Sequence, residues 1–571
     1  MTSIILIVGL GLYILLYLTY GKQLEKNVVK ADDSNKTPSV KLSDGIDYVP
    51  AHKVVLFGHH FASIAGAAPI VGPVLAMAWG WMPALLWVWF GNIFIGAVHD
   101  YLSLMASVRY DGKSIQFVAS DLITKRTGNL FYYLVFFLLI LVIAAFAAVL
   151  GGMFTSGPAI ATSYFLKIIA ALILGVLMYR LNVNIVLSTL IGIVMLILAI
   201  IGGIYFPIKA SYNFWMIVMF FYIIIASSIP VNVLLQPRDY LNSWLLYLGL
   251  FIGGLAAIFS FKGFTAPAFT SFAPIISDGK PTPFWPAITL IIACGSLSGF
   301  HSLVASGTTS KQLAKEKDGL IVGYGSMLTE GLLSTIVIIA VAGFSFGLLK
   351  DAGMEISVQG WGTQYTGAMM KKFPSANMFV ASYAAMVDST WLKILPTAFV
   401  TTVAGMWVAA FAMTTLDTTN RLGRYCLCEI ISPLREKNTL LHNFITNRWI
   451  ASLIPAAIGI WLAWSKNFSV LWPSFGSANQ LIASIALLTG TVWVAKRLKS
   501  KASLFVLIPA IILWITVTAG IIWFSFVILP VTISKAPATG ITVLIIEIIM
   551  LLMNFVFIFD FIKSYKKPVK S

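Results

Sequence analysis

Apolar residues come along this chain in long, nearly unbroken stretches separated by short polar ones. About 20 consecutive apolar residues cross the hydrocarbon core of a bilayer as a helix. By that measure fifteen segments qualify: 2–20, 54–75, 83–109, 129–153, 160–178, 184–206, 212–235, 240–260, 284–308, 319–349, 394–416, 448–465, 470–495, 504–530 and 540–562. Residues 377–390 are apolar but short and are expected as an interfacial or re-entrant helix. The polar segments 21–53 and 350–376 are too short to hold an appended soluble domain. Met1-Thr2-Ser3 turns apolar at once, with no basic region before the run and no clear cleavage site after Tyr20, so residues 2–20 are expected to remain as a first span. The fold class is an all-α polytopic membrane protein of about fifteen transmembrane helices.

Composition agrees with the pattern. Hydrophobic residues make up 59% of the chain and charged residues 10%, against roughly 25% charged in soluble domains. The net charge of +17 would raise nucleic acid as a partner in a soluble protein. Here 28 of the 38 Lys and Arg fall in alternating connections, those after spans 1, 3, 5, 7, 9, 11, 13 and 15, counting Arg109 and Arg448 at the span ends that adjoin them. That is the positive-inside pattern, so nucleic acid is excluded as the explanation and membrane lipid takes its place. It places the protein in the cell inner membrane with the N-terminus outside and the C-terminus in the cytoplasm. Cys294, Cys426 and Cys428 are the three cysteines. The Cys-x-Cys pair lacks a second pair to complete a zinc site, and all three are expected to be packing residues.

Two spans carry helix breakers. Span 2 contains Gly58, Gly66, Pro69, Gly72 and Pro73, and span 7 contains Ser227-Ser228-Ile229-Pro230-Val231-Asn232 followed by Gln236-Pro237. Proline removes an amide donor and clashes with the preceding turn. Unwound backbone inside a membrane is tolerated only where protein or a water-filled cavity satisfies it, so Gly66, Ala67, Pro69, Ser227, Ser228, Pro230, Asn232 and Gln236 are the substrate-binding candidates. Spans 2 and 7 run in opposite directions and lie five spans apart, as in a 5+5 inverted repeat. The expected division is 1–53 as a prefix helix and cytoplasmic loop, 54–206 as the first repeat, 207–416 as the second with an external 350–390 segment, and 417–571 as a four-helix appendage.

Charge in the bilayer core is costly and points to function. The candidates are His59 and His60 in span 2, His99 and Asp100 in span 3, His301 in span 9 and Glu330 in span 10, while Glu547 in span 15 reads as structural. His59, Asp100, His301 and Glu330 lie about 6 to 11 residues from the cytoplasmic ends of their spans, roughly 9–16 Å deep at 1.5 Å per residue. A His/carboxylate cluster suits proton uptake and release. His59, His60, Asp100 and His301 could equally hold a divalent metal, or the polar groups could be structural. Ser302, beside His301, could help to coordinate a cation or line a pathway, although such small residues also allow close helix packing.

Several motifs are specific. Gly58-His59-His60-Phe61 with Ala67-Ala68-Pro69-Ile70-Val71-Gly72-Pro73, Gln236-Pro237-Arg238-Asp239-Tyr240-Leu241-Asn242, and Ser298-Gly299-Phe300-His301 with Ser306-Gly307-Thr308-Thr309 resemble the carbon starvation protein CstA family. So do Leu416-Asp417-Thr418-Thr419-Asn420-Arg421-Leu422-Gly423-Arg424 and Leu471-Trp472-Pro473-Ser474-Phe475-Gly476-Ser477-Ala478-Asn479-Gln480. His99 departs from the glutamine expected there in other members. The resemblance implies uptake of peptides, or of pyruvate in some members, and a relation to 5+5 transporters in which span 9 lies beside span 2, bringing His301 toward His59 and His60.

The function expected is a secondary active transporter, proton-coupled, importing short peptides or small monocarboxylates such as pyruvate under carbon starvation. No cofactor is expected, and no P-loop is visible for direct ATP drive. The rival readings are a nutrient sensor and a metal-dependent membrane enzyme. The absence of an H-E-x-x-H pair weakens the enzyme reading.

Overall fold

The computed structural model describes residues 1–44, 48–181, 183–229, 234–374 and 376–566. The described chain is almost entirely helical. Helix α1 is Thr2–Val29, and a bent pair follows, α2 (Lys53–Ile64) and α3 (Ala68–Ala76). Next come α4 (Trp81–Arg109), the short α5 (Ile115–Leu122), α6 (Lys125–Ser156), α7 (Pro158–Tyr179), α8 (Ile185–Tyr205), α9 (Tyr212–Ser228) and α10 (Leu235–Phe259). A hairpin of β1 (Ile275–Ser277) and β2 (Lys280–Pro281) precedes α11 (Phe284–Ile291) and α12 (Gly299–Gly307). The second half continues with α13 (Leu320–Asp351), α14 (Trp361–Lys372), α15 (Asn377–Asp388), α16 (Thr397–Ile430), α17 (Thr439–Thr446), α18 (Arg448–Trp464), α19 (Phe468–Lys496), α20 (Ser503–Lys535) and α21 (Pro537–Lys566).

Among the described residues eleven helices are long and apolar enough to cross a membrane, or thirteen if the bent pairs α2/α3 and α17/α18 each count as one. Two of the expected fifteen spans fall outside that test. Span 7 is the 17-residue α9, and span 9 is split into α11 and α12. The short apolar stretch at 377–390 forms α15, whose buried face packs between α13 and α16.

The polar connections gather at one end of the bundle. Lys41 meets Asp111 at 2.9 Å, Arg109 meets Glu316 at 2.8 Å, Arg497 meets Asp121 at 2.9 Å, and the Lys317 amide donates to Asp33 at 3.0 Å. Four of the Lys/Arg-rich connections thus share one face. At the other end the N-terminal amine donates to the Lys262 carbonyl at 2.9 Å and Lys535 pairs with Asp278 at 2.7 Å.

The breaks differ from expectation in one place. Span 2 breaks as its glycine and proline require. Its halves bend by 50°, and Pro69 opens α3 where its missing amide leaves nothing unpaired. Span 7 does not. Along α16, Asp417, Asn420 and Arg421 meet Tyr222, Ile223 and Ala226 of α9 in rising order. Along α10, Arg238, Asn242 and Gly249 meet Asp417, Thr414 and Trp407 in falling order. Helix α9 therefore runs with α16 and α10 runs against it, and α9 ends at Ser228. Pro230 and Asn232 lie outside the described residues.

The second broken helix is span 9. Seven residues, 292–298, separate α11 from α12, and Gly295 within them has φ +82°, a backbone region that glycine enters without steric cost. A Cβ at Gly295 would collide with the Ser334 hydroxyl.

Candidate functional site

The two broken spans lie antiparallel, side by side. His60 bonds Thr309 at one end, Gly72 packs on the Ile291–Ile292 backbone at the other, and Pro69 lies next to Gly295 between them. Their unwound backbone is satisfied by side chains from other spans, as a site without bulk water demands. Ser334 Oγ donates to the Pro69 carbonyl at 2.8 Å, and Asn92 Nδ2 to the Gly295 carbonyl at 2.8 Å. From α19, Asn479 Nδ2 donates to the Ala293 carbonyl at 2.6 Å and its Oδ1 accepts from the Phe300 amide at 2.9 Å, while Gln480 Nε2 donates to the Leu297 carbonyl at 2.8 Å. A cavity of about 10 Å³ remains where the breaks meet, lined among others by Gly66, Ala68, Phe146, Cys294, Ser298 and Thr415. It has room for about one water. Gly66 keeps it open, because a Cβ there would press on the Phe146 ring and the Thr415 hydroxyl.

Beside the cavity lies a fully buried cluster of ionisable groups. Asp100 on α4 accepts one imidazole on each oxygen: His99 Nδ1 meets Oδ1 and His301 Nδ1 meets Oδ2, both at 2.8 Å. The other ring nitrogen of His301, on α12, lies 3.2 Å from Cys294 Sγ and 3.3 Å from Glu330 Oε2. Glu330, on α13, accepts from Cys294 Sγ at 2.8 Å and from the Gly295 amide at 3.1 Å. One imidazole thus stands between two carboxylates, with a thiol connecting the cluster to the cavity. The arrangement can hold a proton on His301 and share it with either acid, so its protons belong to the group rather than to one residue. Ligand atoms of Cys294, His301 and Glu330 also lie within 4.8 Å of one another, close enough to hold a metal ion. In that case Asp100 would orient the histidine from behind.

The sequence candidates divide as follows. Asp100, His301 and Glu330 come together. His60 is buried against Thr309 at 2.8 Å with its Nε2 unpartnered. His59 is exposed on the other face of α2, so the expected set of His59, His60, Asp100 and His301 is not a single constellation. Ser302 donates to the Gly299 carbonyl at 2.7 Å within its own helix. Gly66, Ala67 and Pro69 form the span 2 break. Ser227 and Ser228 lie elsewhere, bonded to Asn420 at 2.9 Å and Ser452 at 3.2 Å, because α9 packs against α16 and α18 instead of α2. Of Gln236 only the backbone is described. Glu547 is buried and accepts from Ser477 at 2.6 Å.

Sequence reasoning passed over a second buried cluster. Arg238 on α10 is fully buried and ion-paired with Asp417 on α16. It donates also to Tyr222 Oη at 2.7 Å and to Asp239 at 2.8 Å. Lys167, buried on α7, donates to Asn242 Oδ1 at 2.6 Å and stands 4.2 Å from the Tyr164 ring centre. The signal was present, since Lys167 is a lone charge in an apolar run and Asp417 follows the unbroken run 394–416. Cys294 was passed over as a packing residue.

The model of the family described as "Carbon starvation protein CstA" matches residues 1–520. The "Peptide transporter CstA" of Bacillus subtilis is 31% identical, over 99% of this chain and 97% of its own. The "Pyruvate/proton symporter BtsT" of Escherichia coli is 29% identical, over 90% of this chain and 80% of its own. Among solved structures, a manganese transporter of Eremococcus coleocola aligns over 92% of this chain and 99% of its own at 14% identity, with a TM-score of 0.32.

Proposed function

Because the chain belongs to the carbon starvation protein CstA family, we propose that it is a secondary transporter importing short peptides or a small monocarboxylate such as pyruvate, driven by protons. Relatives that bear both substrate names match most of the chain. One observation carries the coupling: the imidazole of His301 stands between Asp100 and Glu330, and Cys294 joins that group to the cavity between two broken helices. Cargo entering the cavity would meet the N-terminal end of α3, where a carboxylate is favoured. Protonation of the His301 group would be felt at the α12 break two residues away. His60, whose free ring nitrogen is buried near this group, is assigned to it; Gly66, Ala67 and Pro69 are assigned to cargo.

The membrane arrangement follows the same reading. Counting α9 and the α11/α12 pair as spans makes fifteen. The Lys/Arg-rich face is the cytoplasmic one, which puts the N-terminus outside and the C-terminus inside, in the inner membrane. Inverted repeats that open on the α2/α3 and α11/α12 pairs fit the antiparallel crossing of the breaks, with α7 and α8 as an inserted hairpin. Neither a sensor role nor membrane enzymology is favoured by any contact in the site.

The test uses purified protein in liposomes with an imposed inward proton gradient. Accumulation of labelled pyruvate or of a labelled dipeptide is expected, and it should collapse with a protonophore. Failure of folded protein to accumulate either cargo would remove the coupled-import reading. Metal analysis of the same preparation addresses the alternative: stoichiometric zinc bound through Cys294, His301 and Glu330, with uptake lost to a chelator, would replace the proton.

A further inference from the structure

The end of the bundle that carries the Lys535–Asp278 pair holds a second cavity, of about 30 Å³. Leu75 of α3, Ile291 of α11, and Ser469 and Trp472 of α19 line it, together with Ser277 of β1 and Thr366 of α14. The same three stretches wall the first cavity further in, through Ala68 of α3, Cys294 after α11 and Phe475 of α19. Along α3, Ala68 and Leu75 stand seven residues apart, about 10 Å at 1.5 Å per residue. Aromatic rings separate the two spaces. Trp472 borders the outer cavity, and Phe146 and Phe475 border the inner one. Trp472 stacks on Phe146 with ring centres 6.4 Å apart and meets Phe475 edge-on at 5.4 Å. Its indole N–H donates to the carbonyl of Ile291 at 2.9 Å, the last residue of α11 before the break.

Much of the outer lining is apolar, yet it carries donors that no other group uses. Ser277 is 1% exposed. Its hydroxyl and that of Thr366 are buried with no partner among the described residues. The first turn of α19 adds to them. Asn467 precedes this turn without capping it, because its Oδ1 accepts from the Ser469 hydroxyl at 2.8 Å. The Val470 and Leu471 amides both turn to the Asn467 carbonyl at 3.1 Å, and the Ser469 amide has no acceptor among the described residues. Helix α19 is 29 residues long, and its dipole favours negative charge at this end. Asp278, beside Ser277, is occupied by Lys535 and Thr532. Buried donors without acceptors are costly to leave unmade, and an ionised carboxylate is a group that only accepts. At roughly 10–15 Å³ per water the cavity has room for two or three waters, the bulk of one carboxylate group.

We propose that this outer cavity is a second cargo site. It holds a carboxylate between the Ser277 and Thr366 hydroxyls and the uncapped first turn of α19. From there the cargo passes Trp472 and Phe146 to the inner cavity. The inference rests on the transport reading and adds to it the group of the cargo that is recognised first. Pyruvate and a short peptide share that group, so the site serves either.

Equilibrium binding to purified protein in detergent tests the site, with labelled pyruvate and a labelled dipeptide as probes. The parent is expected to bind probe at both cavities, and Gly66→Val, which narrows the inner one, to retain the outer share. In that background Ser277→Ala or Thr366→Val should weaken the retained binding about tenfold, the loss of one hydrogen bond to a charged acceptor. Unlabelled pyruvate should displace the retained label, and its uncharged amide should not. Made in the parent, the two hydroxyl variants should lower the probe bound at a fixed concentration, so the test stands even where Gly66→Val does not fold. Complete loss of binding in folded Gly66→Val, unchanged affinity in both hydroxyl variants, or equal displacement by the amide would overturn the site. So would a folded parent that binds neither probe. Binding needs no gradient. Protein that binds here and fails to accumulate cargo would lose the coupled-import reading alone, and accumulation with unaltered binding in the hydroxyl variants would remove the outer site alone.

Discussion

Two clusters of fully buried charge sit in the bundle, one beside the small cavity that Cys294 lines and the other between α9, α10 and α16, and they are built from different chemistry. The first contains Asp100, His301, Glu330 and a thiol, all of which can change charge. The second is centred on Arg238, which cannot. Both satisfy the rule that intramembrane charge marks function, yet the rule does not say which function. A group that must load and unload a proton needs members that titrate, and a group that must hold helices together needs a charge that stays. Under the proposed transport reading, the same energetic penalty for burying charge serves exchange in one place and attachment in the other.

Variants can break this comparison, beginning with the largest effect. Asp417→Ala leaves a buried guanidinium unpaired and is expected to cost about 3–5 kcal/mol of stability, read as a lowered melting temperature in detergent. A loss as small as that of a surface variant would mean the pair is already hydrated. Next, Asp100→Asn and His301→Gln should reduce gradient-driven accumulation about 100-fold, some 2.7 kcal/mol at 1.36 per tenfold. Cargo exchange without a gradient should fall far less. Equal loss of both would assign these residues to packing. Gly66→Val pushes a side chain against Phe146 and Thr415 and should lower uptake roughly tenfold (about 1.4 kcal/mol) while the ratio of driven to passive uptake holds. A changed ratio would tie the break to the proton instead of the cargo.

The smallest effect lies at the surface. Burial works against the Asp121 charge, but hydrogen bonds from Tyr110 and Arg497 hold its carboxyl below the ordinary value. That contribution is present above the ordinary value and lost as pH falls through the lowered one. Both partners are largely exposed, so Asp121→Asn should cost less than about 1 kcal/mol near neutral pH.

Much of this was legible in the chain. The hydropathy runs located the eleven described helices long and apolar enough to cross a membrane and both bent pairs, because a bilayer forces backbone groups to pair within each segment. The similar depth of His59, Asp100, His301 and Glu330 permitted a cluster, and three of the four meet. Three things were not legible. Span 9 breaks without an internal proline at the break, since Asn479 and Gln480 from far along the chain replace its lost backbone bonds, and no local pattern announces that. Span 7 was read as far as residue 235, whereas α9 ends at Ser228, and its packing on α16 and α18 is a tertiary matter that no local pattern shows. The Arg238–Asp417 pair joins residues 179 positions apart, each next to a span boundary where charge looks ordinary.

Helix α1 carries a consequence for how this protein is made. Ser3 donates to the Ile258 carbonyl at 2.6 Å across 255 residues, and Thr2 bonds Ser260 at 2.9 Å. At roughly 5–20 residues per second of synthesis, α1 waits on the order of 15–50 s in the membrane before these partners leave the ribosome. It carries no charged residue between Thr2 and Gly21, so lipid alone can shelter it through the delay. Helix α1 precedes the other described helices in the chain and is thereby among the later ones to find its place, which ties assembly around it to synthesis of residues 258–260.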